Sequence, residues 1–96
     1  MNRVHTLALL AESKAALANR YGVTRLALFG SAARDTMQED SDIDILVAFD
    51  GPATAERYFG VQFYLEDLIG RSIDLVTEKA LRAELRPFVE QDARDV

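Results

Sequence analysis

Two short pieces of the sequence carry residue types that chemistry could use, Gly30-Ser31 and Asp42-Ile43-Asp44. The second opens the apolar run Ile45-Leu46-Val47-Ala48-Phe49, which reads as a strand buried on both faces. Residues two apart on a strand point to the same face, so Asp42 and Asp44 project together, their Cα atoms about 7 Å apart. Ile43 and Ile45 point the other way, into apolar packing. Two carboxylates at the mouth of such a strand repel each other unless a cation lies between them. Hard oxygen ligands of this kind suit Mg²⁺, which keeps several waters and takes the rest of its shell from substrate phosphates.

Gly30 lets the backbone approach a ligand closely, and Ser31 begins a helical turn whose free N–H groups favour an anion. Taken alone, Asp-x-Asp is most often a solvated strand end, and Gly-Ser most often an ordinary helix start with serine as its cap. A phosphate-binding turn and a metal-binding strand on adjacent elements are far less often accidental. Asp74, inside Ser72-Ile73-Asp74-Leu75-Val76, is a third candidate. A carboxylate in an apolar run is costly unless something satisfies it. If its strand lies beside the second one, it joins the acidic cluster, to hold a metal or to take a proton from an attacking hydroxyl. If not, it is an edge aspartate bonded to backbone amides.

Hydrophobic periodicity supplies the elements that must position these side chains. Leu7, Leu10, Ala11, Ala15 and Leu17 predict a helix from His5 to Arg20, closed by Gly22. Val23–Phe29 reads as a first strand, Ser31–Arg34 as a helical turn, and residues 35–41 as a loop. Asp42–Phe49 is the second strand, and Asp50-Gly51-Pro52 is turn chemistry. A helix follows, capped by Thr54 and ended by Gly70, with Tyr58, Val61, Leu65, Leu68 and Ile69 along one side. Tyr58, Phe59, Phe63 and Tyr64 crowd this helix on two sides, which suits a helix buried against a partner as well as a core. Ile73–Thr77 is the third strand, and the helical spacing beyond Ala80 must kink or restart at Pro87. The order α-β-α-β-α-β-α predicts a single α/β (α+β) domain over residues 1–96, a short mixed sheet flanked by helices.

The string Gly30-Ser31-Ala32-Ala33-Arg34, a six-residue loop, and Ser41-Asp42-Ile43-Asp44-Ile45-Leu46-Val47 resembles the motif of the DNA polymerase β-type nucleotidyltransferase superfamily. Within it the chain is most similar to the minimal nucleotidyltransferases (MNT) of MNT/HEPN toxin–antitoxin pairs. Ser72–Thr77 resembles the place of that family's third carboxylate, and Leu85-Arg86-Pro87-Phe88-Val89-Glu90 resembles its ending. The resemblance implies a small nucleotidyltransferase fold in which Asp42 and Asp44 bind Mg²⁺ and Asp74 is the third acidic residue. It implies that Gly30 and Ser31 meet the triphosphate of ATP and that Arg34 supports the phosphates or the acidic loop. It further implies transfer of AMP from ATP to a hydroxyl, a tyrosine of a cognate HEPN ribonuclease toxin, by a protein acting as its antitoxin. The alternative is an antitoxin that neutralises by binding alone; a small-molecule acceptor would need a pocket that larger relatives build with an extra domain. The chain departs from the family at Asp35, where glycine usually follows the arginine.

Bulk properties agree. Ninety-six residues, 49% of them apolar, allow one modest core and no separate substrate domain. A net charge of −5 with scattered basic residues argues against a nucleic acid as main ligand and suits a basic protein partner in a hetero-oligomer. The absence of cysteine excludes disulfides and thiolate metal sites. With neither a secretory leader nor an apolar run of membrane-spanning length, the expected location is the cytoplasm. His5 is expected on the surface, and Glu78, Lys79, Arg82, Glu84 and Arg86 on a solvated face.

Overall fold

A computed structural model describes residues 2–96. Helix α1 spans Arg3–Tyr21, strand β1 Val23–Phe29, the short helix α2 Gly30–Ala33, β2 Ile43–Phe49, α3 Ala55–Ile69 and β3 Ile73–Thr77. A 3₁₀ turn, Glu78–Ala80, leads to α4, Arg86–Asp92, and a two-residue strand β4, Arg94–Asp95. The four strands form one mixed sheet in the order β3-β2-β1-β4. β1 runs antiparallel to β2 and β4, whereas β2 and β3 are parallel and joined by the α3 crossover. The predicted order of elements is therefore found, as a small α+β fold. Pro87 lies in the first turn of α4 and starts a new helix instead of kinking an old one, because its missing N–H costs nothing there.

The core lies between one sheet face and the pair α1/α3, with Ile43, Ile45 and Val47 of β2 meeting Leu10, Val61 and Leu65. Thr54 caps α3, its hydroxyl accepting from Arg57 N at 3.2 Å, and Val61, Leu65 and Ile69 form the buried stripe. Helix α1 turns a different stripe inward from the one its apolar residues suggest. Thr6, Leu10, Ser13 and Leu17 are buried, while Ala11 and Ala15 are exposed. The two hydroxyls are satisfied within the helix, Thr6 donating to Asn2 O at 2.9 Å and Ser13 to Leu10 O at 2.8 Å. Buried in that way they cost little.

β4 was absent from the expected elements, since two residues carry no period. Tertiary contacts place it: Val96 N donates to Leu26 O at 3.0 Å and Lys14 Nζ to Val96 O at 2.6 Å. Among the described residues no helix is long and apolar enough to cross a membrane.

Candidate active site

On β2 the alternation puts Ile43, Ile45 and Val47 in the core and leaves Asp44 and Leu46 on the opposite face. β3 alternates in the same way, with Ile73 and Leu75 inward and Asp74 outward. In the parallel ladder Asp44 pairs directly with Asp74, so the two carboxylates stand side by side on the face away from α1 and α3. Asp74 is thus brought beside Asp44, although its strand β3 forms an edge of the sheet. Asp42 sits just ahead of β2 and is exposed, close enough for its charge to be felt at Asp44.

Burial, followed by the charge and hydrogen bond of Asp74 and the charge of Asp42, pushes the Asp44 carboxyl up to about 6; Arg34 opposes the shift. A half-buried carboxylate between two like charges is a site short of positive charge. Gly30 adds a steric constraint. It ends β1 at φ 69°, and a Cβ built there would land on the Asp44 carboxylate. Only glycine fits both the left-handed backbone and the close approach.

Ser31 follows in the first turn of α2, whose leading N–H groups have no partner within the helix. Its carbonyl accepts from Thr36 N at 2.9 Å, which folds the loop back on the turn. Arg34 reaches across to an ion pair with Asp92 of α4. The side chain is therefore shared between the acidic group, through its charge, and the helix that flanks the site. Asp35 adopts φ 61°, the one non-glycine residue with positive φ among those described. The conformation is the one that glycine favours, as expected for this position. Its carboxylate accepts from Arg3 N at 3.1 Å, and Arg3 Nη1 donates to Ala33 O at 3.2 Å, tying the turn to the start of α1.

Two arginines matter that sequence reasoning passed over. Arg71 Nη2 donates to Gln38 O at 3.0 Å, Glu39 O at 2.6 Å and Ser41 O at 2.7 Å, clamping the loop that carries Asp42. No pattern in the sequence signals this contact. Arg25, on the same sheet face as Asp44, donates to Glu78, to both carboxylate oxygens of Glu90 and to both of Asp95. It ties the 3₁₀ turn, α4 and β4 across that face, and holds the Glu90 and Asp95 carboxyls below the usual range. A lone arginine inside an apolar strand was the available signal. The set expected on a solvated face is thereby split, since Glu78 and Arg86 join the network while Lys79, Arg82 and Glu84 are exposed.

Among the described residues no three of the side chains His, Cys, Asp and Glu are arranged to hold a metal ion unaided. A pair of carboxylates with a third charge nearby still fits Mg²⁺, whose remaining ligands come from water and phosphate oxygens. A hollow lined by Asp42, Arg71 and Ser72 opens beside the acidic group. A smaller, more apolar cleft lined by Val47, Phe49 and Thr77 lies at the far ends of β2 and β3, away from these carboxylates.

Comparisons with known proteins converge on one family. Residues 10–96 match the nucleotidyltransferase domain. The protein adenylyltransferase MntA of Thermococcus cleftensis is 37% identical over 81 residues, 84% of this chain and 82% of that protein. A solved structure assigned as a minimal nucleotidyltransferase superposes with a TM-score of 0.84 at 36% identity, covering 100% of this chain and 97% of the other. The fold is also that of a Shewanella oneidensis MNT antitoxin in complex with a tri-AMPylated HEPN toxin, with a TM-score of 0.61 at 20% identity over 98% of this chain and 67% of the other.

Proposed function

Because the chain belongs to the nucleotidyltransferase domain family, we propose that it transfers AMP from ATP to a tyrosine hydroxyl of a cognate HEPN-domain toxin and so acts as its antitoxin. The whole chain would act as one nucleotidyltransferase domain in the cytoplasm, joined to the toxin in a hetero-oligomer. The observation that carries this reading is the register pair Asp44–Asp74 beside Gly30, a carboxylate pair short of positive charge at the start of α2.

In this reading Asp42 and Asp44 hold Mg²⁺, with Asp74 as a further ligand or as the group that takes the proton of the attacking hydroxyl. Ser31 and the free N–H groups of α2 receive the phosphates, Gly30 lets them approach, and Arg34 adds positive charge. Bound there, Mg²⁺ supplies charge neutralisation and in-line orientation. The acceptor oxygen forms a bond to the α-phosphorus, and the bond from that phosphorus to pyrophosphate breaks.

A second reading, neutralisation by binding alone, draws support from Arg34, which is engaged with Asp92. One experiment separates the two. Incubated with labelled ATP, Mg²⁺ and the cognate HEPN-domain protein, the wild type should label the partner, and Asp42→Asn with Asp44→Asn should not. If the double variant still silences the toxin in cells, binding alone suffices and the catalytic reading fails.

A further inference from the structure

Helix α3 buries Val61, Leu65 and Ile69 and presents another face outward. Glu56, Phe59, Phe63 and Asp67 follow one another at helical spacing and are all exposed, Phe59 by 49% and Phe63 by 62%. The two rings stack with centroids 6.1 Å apart and 24° between their planes. Tyr58 meets Phe59 edge-on at 5.2 Å, and its hydroxyl donates to Leu75 O at 2.6 Å. The aromatic pair therefore rests on a side chain fixed to the sheet.

The charges on this stripe are free. Glu56 and Asp67 make no ion pair among the described residues. Neighbouring Arg57 is turned away to Asp50 at 3.0 Å and Pro52 O at 3.4 Å. Two apolar rings are thus bracketed by two unpaired acids over about 16 Å of helix. A second copy fits this surface poorly. Antiparallel stacking of Phe59 on Phe63 would set Glu56 of one copy beside Asp67 of the other, in a chain whose net charge is already −5.

We propose that the outward face of α3 docks a partner protein through an apolar patch flanked by lysine or arginine. That partner's charges would meet Glu56 and Asp67 while its apolar centre covers Phe59 and Phe63. The stripe lies on the layer opposite Asp44 and Asp74, so docking there leaves the acidic site open to an acceptor. Taking the HEPN-domain toxin as this partner rests on the function proposed above.

The test uses the full chain. Sedimentation of the wild type alone should show a monomer; a dimer lost in Phe59→Ser with Phe63→Ser would assign the face to a second copy and overturn the proposal. Calorimetric titration with the purified cognate HEPN-domain protein should show affinity falling on the order of thirtyfold in that variant. Glu56→Lys with Asp67→Lys should lose about tenfold and most of the salt dependence of binding. Melting temperature and Mg·ATP binding should stay at wild-type values in both. If the wild type binds the toxin through this face without labelling it, the catalytic reading fails and the docking surface stands. If it labels the toxin while the stripe variants bind unchanged, the docking surface is wrong and the catalytic reading stands.

Discussion

Asp44 and Asp74 occupy directly paired positions on parallel strands, and their carboxylates share the sheet face that Gly30 closes from the side. Like charges at that separation oppose each other and add nothing to the fold; in the proposed function they are kept for the cation they would hold. Stability and activity should therefore respond in opposite directions. In the metal-free protein Asp44→Asn removes a repelled carboxylate and should raise stability by on the order of 1 kcal/mol, after allowance for solvent screening, or about 5 °C in melting temperature. AMP transfer should fall to background. Melting curves in a chelator and partner labelling measure the two effects, and a lower melting temperature would contradict the account.

The same pair sets a pH dependence. The Asp44 carboxyl titrates at about 6 in the folded protein, above its unfolded value of 3.8, so the folded state binds the proton more tightly. Its contribution is unfavourable at pH 7, begins to lessen as the pH falls through 6 and is gone only below 3.8. Glu90 and Asp95, held low by Arg25, contribute stability above their unfolded values and lose it only in more acid solution. Metal-free protein should therefore be more stable at pH 5 than at pH 7, as read by urea denaturation. Asp44→Asn should flatten that difference.

Gly30 and Gly70 make a controlled comparison. Both have positive φ, 69° and 77°, but a Cβ at Gly30 meets Asp44 whereas one at Gly70 meets nothing within 4 Å. Gly70→Ala should cost only the backbone strain, about 1 kcal/mol. Gly30→Ala adds a steric conflict with the carboxylate and should cost on the order of 3 kcal/mol and abolish transfer. Equal melting temperatures for the two variants would show that Gly30 is not pressed against Asp44.

Asp35 holds a left-handed backbone that its side chain helps to fix through Arg3 N. Asparagine tolerates the same conformation and can accept the same bond, so Asp35→Asn should leave stability within about 0.5 kcal/mol of wild type. Alanine can do neither, and Asp35→Ala should cost about 1–2 kcal/mol. Chemical denaturation of the two variants side by side tests this.

Arg25 ties the C-terminal elements over the site face through five hydrogen bonds to Glu78, Glu90 and Asp95. The partners are partly solvated, so Arg25→Gln should cost on the order of 1 kcal/mol globally. Locally the effect should be larger: amide exchange over residues 86–96 should accelerate, and raised salt should accelerate it in the wild type too. Unchanged exchange in that segment would mean that the network does not hold α4.

The elements and the chemistry-bearing motifs were legible because both are local properties. Short apolar runs in β1 to β3, period 3.6 in α3, and Gly30-Ser31 and Asp42-x-Asp44 are written over a few consecutive residues. They sufficed for an α+β fold with acidic groups beside a glycine-serine turn. The inward stripe of α1 departs from its apolar one because Thr6 and Ser13 can be buried, their hydroxyls bonded to the carbonyls of Asn2 and Leu10. The apolar run around Asp74 marks it as a carboxylate in need of a partner. That it stands opposite Asp44 was decided by the α3 crossover, which lays β3 parallel to β2 in one register. The Arg71 clamp, the Arg25 network and strand β4 likewise join residues 30 or more positions apart. Such contacts depend on how the layers pack, because ion pairs and two-residue strands have no period of their own by which a chain could announce them.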